Sequence, residues 1–198
     1  MLCRSTQQFQ VNRQFFSKLN NMKILLITLV FVFFTSCSSH LTESNHAANG
    51  NAEADHSRMD HSKMDHAKML SSPGSPEAQL ELQFIDTMMV HHQGAVDMAK
   101  LAATRAQNPQ LKKFAEGIIS AQEREIAEMT RWRAKWFGEK PKAINMDFPG
   151  MREGMSGMDV KKLETLSGKP FDLEFLKQMI PHHECAVTMA KQIKDADS

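Results

Sequence analysis

The chain has 198 residues, a formal charge of +1, 15 Met, 9 His and no Tyr. Balanced charge excludes the broad basic field that would draw nucleic acid or an anionic surface, and the length suits one domain with appendages. Three scattered cysteines, Cys3, Cys37 and Cys185, exclude a disulfide framework and a CxxC site.

Residues 23–37 read KILLITLVFVFFTSC. A lysine, a short apolar run and small residues before a cysteine have the layout of a secretory signal, too short to span a membrane comfortably. The end of this stretch resembles the lipobox of bacterial lipoproteins, although Phe34 stands where Leu is usual. That resemblance implies acylation at Cys37 and an exported chain, lipid-anchored to a bacterial membrane and facing the periplasm or the exterior. Residues 1–21 lack a signal's layout, so translation starting at Met22 would give the better leader. Residues 1–37 are therefore set apart from the fold.

Residues 38–75 are polar and small, and cannot bury enough surface to offset ordering entropy, so a disordered tether is expected. Within it lies DHSRM-DHSKM-DHAKM. Each copy sets a thioether three residues after an imidazole. Thioethers favour Cu(I), and imidazole suits copper in either oxidation state as well as zinc. His56, Met59, His61, Met64, His66 and Met69 are thus candidate ligands of a flexible metal-binding strand.

Residues 76–198 read as an all-α domain. Ser75-Pro76-Glu77 has the composition of a helix start, and apolar residues then recur at helical spacing through Phe84, Ile85, Met88, Met89, Val96 and Ala99. The spacing predicts a second helix from Asn108-Pro109 to about Trp136, closed by Gly138, burying Leu111, Phe114, Ile118, Ile119, Ile126 and Met129. Residues 139–158 read as a Pro-, Gly- and Met-bearing loop. A short helix follows over residues 159–166, then a last one from about Asp172 to Lys194.

The first and last helices share a motif. MMVHHQGAVDMAK begins at Met88 and MIPHHECAVTMAK at Met179, so His91 and His92 match His182 and His183 at a constant offset. On a helix, residues three or four apart share a face and neighbours do not. Met88, His91, Ala95 and Met98 form one stripe; Met179, His182, Ala186 and Met189 form its counterpart. Within each pair, either the two histidines act at different positions around an ion, or one ligates while the other packs. Core filling by Met and hydrogen-bonded core histidines are the plainer reading, which the paired recurrence disfavours. Cys185 replaces Gly94 of the first copy and lies on the stripe, either as a soft ligand or as a small buried hydrophobe. Pro181 has Val90 as its counterpart.

The paired motifs FIDTMMVHHQGAVDMAK and FLKQMIPHHECAVTMAK, with AQEREIAEM between them and FPGM and LETLSGKPFD before the second, resemble the domain of unknown function 305. This is a bacterial family of exported proteins. The resemblance covers residues 79–191 and implies a ferritin-like antiparallel helical bundle. Some members are periplasmic copper-binding proteins linked to copper tolerance. It implies that His91, His92, His182, His183, Met88, Met98, Met179 and Met189 line the metal region, with Met146, Met151, Met155 and Met158 in a Met-bearing connection. The family usually has glycine at Cys185, and it continues past Lys191 with a helix matching residues 111–136. A bundle lacking its last helix is expected here, or one completed by a second subunit as a homo-oligomer.

The resulting expectation is an exported lipoprotein binding copper, with Cu(I) favoured and zinc an alternative, for sequestration, tolerance or delivery. Two other classes stay open: a ferritin-like metal-dependent redox enzyme, and a helical interaction module with structural histidines. The Glu-x-x-His spacings of di-iron bundles occur here only at Glu43/His46 and Glu53/His56, outside the helices, so no catalytic constellation is expected.

Overall fold

The serine–proline start expected for the first helix forms a turn instead. In the computed structural model, which describes residues 70–196, Ala78 N donates to Ser75 O (3.2 Å) and helix α1 begins at Leu80 (Leu80–Arg105). Ser72 N donates to Ile144 O (2.8 Å), and Met146 N donates to Ser71 Oγ (2.9 Å). The last residues of the expected tether are therefore docked along residues 144–146, where backbone pairing with a distant segment wins over local helix formation. The signal region, Cys37 and the repeat bearing His56, Met59, His61, Met64, His66 and Met69 lie outside the described residues.

Four more helices follow: α2 Pro109–Phe137, α3 Met151–Ser156, α4 Val160–Thr165 and α5 Gly168–Asp195, with no strand among the described residues. The domain is an all-α antiparallel bundle. Asn108 caps α2 by accepting from Gln110 N (2.8 Å), Pro109 opens the helix, and Gly138 ends it at positive φ, as the sequence predicts.

Helix α1 is the central element, buried nearly all round. Its buried polar residues serve the connection beyond α2. Asp86 accepts from Ala143 N (2.8 Å) and Arg133 Nε (2.8 Å), Thr87 Oγ1 accepts from Asn145 N (2.9 Å), and Gln83 Oε1 accepts from Asn145 Nδ2 (2.8 Å). Buried loop groups that would otherwise be unpaired are thereby satisfied by α1 side chains.

Helix α2 is turned relative to the sequence expectation. Its buried row is Leu111, Ala115, Ile118, Gln122, Glu125, Met129 and Trp132, while Phe114, Ile119 and Ile126 are half-buried. Side-chain size misleads here, because the 3.6-residue period runs through small and polar residues. On α1, Met89 is likewise half-buried, its sulfur accepting from Thr130 Oγ1.

The stretch expected to be loop contains α3, introduced by Gly150 at φ +93. Helix α5 starts at Gly168, ahead of Asp172. Asp172 instead accepts from Gln107 N (2.9 Å) and Asn108 N (3.0 Å), tying the start of α5 to the α1–α2 turn and setting α5 antiparallel to α1. Pro181 lies inside α5 on its exposed face. The carbonyl it frees is that of exposed Lys177, so water can satisfy it and the helix runs on. The outer face of α5 is open, with Ile180 57% and Val187 46% exposed, whereas Val96, the counterpart of Val187, is buried. Among the described residues no helix is long and apolar enough to cross a membrane.

Candidate metal centre

Both Met–His–Met stripes turn inward. Met88, His91, Ala95 and Met98 on α1 and Met179, His182, Ala186 and Met189 on α5 are all buried. Where the stripes face each other, the His91 and His182 rings stack with centroids 3.6 Å apart and planes 25° from parallel. Each residue is 1% exposed, and none of their four ring nitrogens has a hydrogen-bond partner. Burial pushes both imidazoles well below the ordinary histidine range, and repulsion from neighbouring histidines adds to it. Two neutral, lone-pair-bearing rings therefore meet in an apolar interior. Unpaired polar groups there cost about 1–3 kcal/mol each, and such groups call for a role.

The partners in the sequence go elsewhere. His92 Nε2–H donates to Glu125 Oε2 on α2 (2.7 Å), and both residues are buried. On the other side of the ring, His92 Nδ1 is buried without a hydrogen-bond partner. A carboxylate behind the far nitrogen of an imidazole is the arrangement that orients metal-ligating histidines. His183 Nδ1–H donates to Met179 O (3.0 Å), which leaves its Nε2 as the acceptor, and burial lowers its affinity for a proton. Of the two alternatives for each HH pair, the structure separates the members. His91 and His182 meet at the helix interface, 6.3 Å and 6.0 Å by ring centroid from His92 and His183.

Helix α3 closes over the stacked rings, and its fit depends on close approach at glycine. A Cβ on Gly154 would lie 3.0 Å from His91 Nε2 and 2.9 Å from Cys185 Cβ. A Cβ on Gly94, one turn beyond His91, would lie 3.1 Å from Met158 Sδ and 3.6 Å from Met155 Cε. The Met-bearing connection thus packs thioethers against α1 one turn beyond His91. Met146 and Met151 are also buried. Cys185 is a free, half-buried thiol; burial pushes its pKa up, and nearby Glu153 and Glu184 reinforce the shift.

Sequence reading missed Glu125. Its signal lay in the period, since Ile118, Gln122, Glu125, Met129 and Trp132 share one face of α2 and a carboxylate on a buried stripe requires a partner. Among the described residues, no three His, Cys, Asp or Glu side chains already form a metal-holding group. The stripes that carry the stacked rings also bury the thioethers of Met88, Met98, Met179 and Met189.

Residues 81–198 match the family model described as Domain of unknown function (DUF305). The chain belongs to that family. No curated protein matches the chain. Among solved structures, this DUF305 chain is similar to CopM in the Cu(II)-bound form, with 44% identity, 59% of this chain and 76% of that chain covered, and a TM-score of 0.49. CopM in the Ag-bound form, obtained by co-crystallization, and CopM in the Cu(I)-bound form are each 42% identical. Both cover 59% of this chain and 74% of theirs, with TM-scores of 0.48.

Proposed function

We propose that this protein is an exported lipoprotein that binds copper, Cu(I) above all, and holds it for sequestration, tolerance or delivery rather than for catalysis. The observation that carries the reading is the stacked His91–His182 pair, buried with four unpartnered nitrogens on two helices whose stripes also bury Met88, Met98, Met179 and Met189. Imidazole and thioether together suit a soft ion, while a structural zinc site takes four ligands dominated by thiolate, imidazole and carboxylate. The CopM structures described with Cu(II), Cu(I) and Ag are 42–44% identical to this chain over the part they cover. Imidazole suits copper in either oxidation state, and thioether suits the softer Cu(I). The repeat of residues 55–69 adds a second set of His and Met, and the lipobox-like Cys37 would keep both near a membrane.

The test is anaerobic titration of the full chain with Cu(I) and, separately, Zn(II) against competing chelators, beside a His91→Leu/His182→Leu variant. At least one tightly held Cu(I) should disappear from the variant while the tail retains its own. Unchanged Cu(I) stoichiometry and affinity in the variant, or zinc outcompeting Cu(I) at the ring pair, would overturn the reading.

A further inference from the structure

We propose that Cys185 is a Cu(I) ligand, its thiolate joining His91 Nε2 beside Gly154. This rests on the copper reading and adds a donor that the internal repeat does not supply, since the matching residue of the first copy is Gly94. Two independent observations carry it. The point where a Gly154 Cβ would sit is 2.9 Å from Cys185 Cβ and 3.0 Å from His91 Nε2, so both side chains pack against the same glycine. His91 is buried, and its Nε2 has no hydrogen-bond partner.

The span is chemically right. Cys185 Cβ and His91 Nε2 are less than about 6 Å apart. A Cβ–S bond, a metal–sulfur bond of about 2.3 Å and a metal–nitrogen bond of about 2.0 Å, bent at sulfur, span about 5 Å on the lengths zinc shows, so a side-chain shift of at most about 1 Å closes the bridge. His182 lies one turn before Cys185 on the same face of α5, stacked on His91. Cu(I) accepts two or three donors, so it does not need the larger set that zinc requires.

The thiolate also answers an electrostatic problem. A monovalent cation buried among neutral imidazoles and thioethers lacks a counter-charge, and burying an isolated charge is costly. When Cu(I) binds, the Cys185 S–H bond breaks, a copper–sulfur bond forms and the proton leaves to water. Copper remains Cu(I), no electron moves, and the buried ion and ligand together are neutral.

The experiment alkylates the full chain with iodoacetamide under anaerobic conditions, with and without Cu(I). Peptide mass spectrometry separates Cys185 from Cys3 and Cys37. The same Cu(I) titration is run on Cys185→Gly and Cys185→Ser, with circular dichroism checking their helices. Cu(I) should slow alkylation at Cys185 at least tenfold and raise an ultraviolet thiolate-to-copper band that both variants lack. Both should still bind Cu(I), at least tenfold more weakly. If the native chain takes up Cu(I) in its helical domain while Cys185 alkylates at an unchanged rate, the ligand assignment is overturned and the copper reading stands. If neither the native domain nor the variants take up Cu(I), the copper reading falls and the assignment with it.

Discussion

Replacing Gly154 with alanine places one carbon against both His91 Nε2 and the Cys185 Cβ. Elsewhere on a helix that exchange is favourable: the interior Gly→Ala gain is about 0.8–1 kcal/mol. Gly117, inside α2 with no atom within 4 Å of a built Cβ, supplies the reference. At Gly154 the new Cβ meets two atoms at 2.9 and 3.0 Å, one of them a Cβ rooted on the α5 backbone. Overpacking of this kind costs about 1–3 kcal/mol. Gly117→Ala should therefore stabilise the metal-free protein by about 1 kcal/mol, while Gly154→Ala leaves it unchanged or weakens it by up to about 2 kcal/mol. The methyl also pushes His91 and Cys185 off the positions from which they would share an ion, so Cu(I) affinity should fall tenfold or more, each factor of ten being about 1.4 kcal/mol. Urea unfolding followed by circular dichroism reads the first quantity, and competition with a chromophoric Cu(I) chelator reads the second. A Gly154→Ala protein that gains as much stability as Gly117→Ala and binds Cu(I) as tightly as the native chain would refute both the crowding argument and the location of the site.

Three other predictions follow from the same geometry. The His91→Leu/His182→Leu variant removes buried, unpaired nitrogens, so without metal it should be about 1–3 kcal/mol more stable in urea than the native protein; a loss beyond about 1 kcal/mol would show that the stack itself holds the helices. His91 and His182 have folded pKa values well below 6.5, so above that pH both states are neutral, and below it the unfolded chain takes up protons that the folded one refuses. Metal-free stability should then drop as pH falls below about 6.5, by up to about 2.7 kcal/mol per pH unit for two such groups, and a flat chevron midpoint between pH 7 and 5 would contradict it. Glu125→Leu leaves His92 Nε2 unpaired and should cost about 1–3 kcal/mol in thermal or urea unfolding, whereas Glu125→Gln, which keeps an acceptor, should cost less than about 1 kcal/mol; equal losses would mean that the charge, not the hydrogen bond, matters.

Much of this arrangement was legible from spacing alone. The constant offset between the two HH pairs marks α1 and α5 as counterparts, and the helical period alone separates His91 from His92. What the spacing could not supply was the third dimension of the pairing. Nothing local distinguishes the fate of His92, which ends on Glu125 of another helix, from that of His183, which bonds its own backbone. Helix α3 was hidden because a six-residue helix between glycines has too little periodicity to register, and its position depends on contacts with Gly94 and Cys185 far away in sequence. The start of α1 failed for a related reason. Ser75-Pro76 has the composition of a cap, but Ser72 and Ser71 pair with residues 144 and 146, and that distant match fixes the turn. The domain's edge is therefore set by the connection between α2 and α5, not by the residues at the edge.

The stacked imidazoles have a consequence for how long a molecule lasts. A fold that leaves four ring nitrogens unpaired in its interior is weaker than its packing would permit, and any ion that satisfies them shifts the folding equilibrium by mass action. Proteases act on the opened chain, and a change of 1–2 kcal/mol alters abundance several-fold. If copper is that ion, starved molecules are the ones cleared and loaded molecules persist. The quantity of protein would then follow the metal after synthesis, with His91 and His182 as the measuring element.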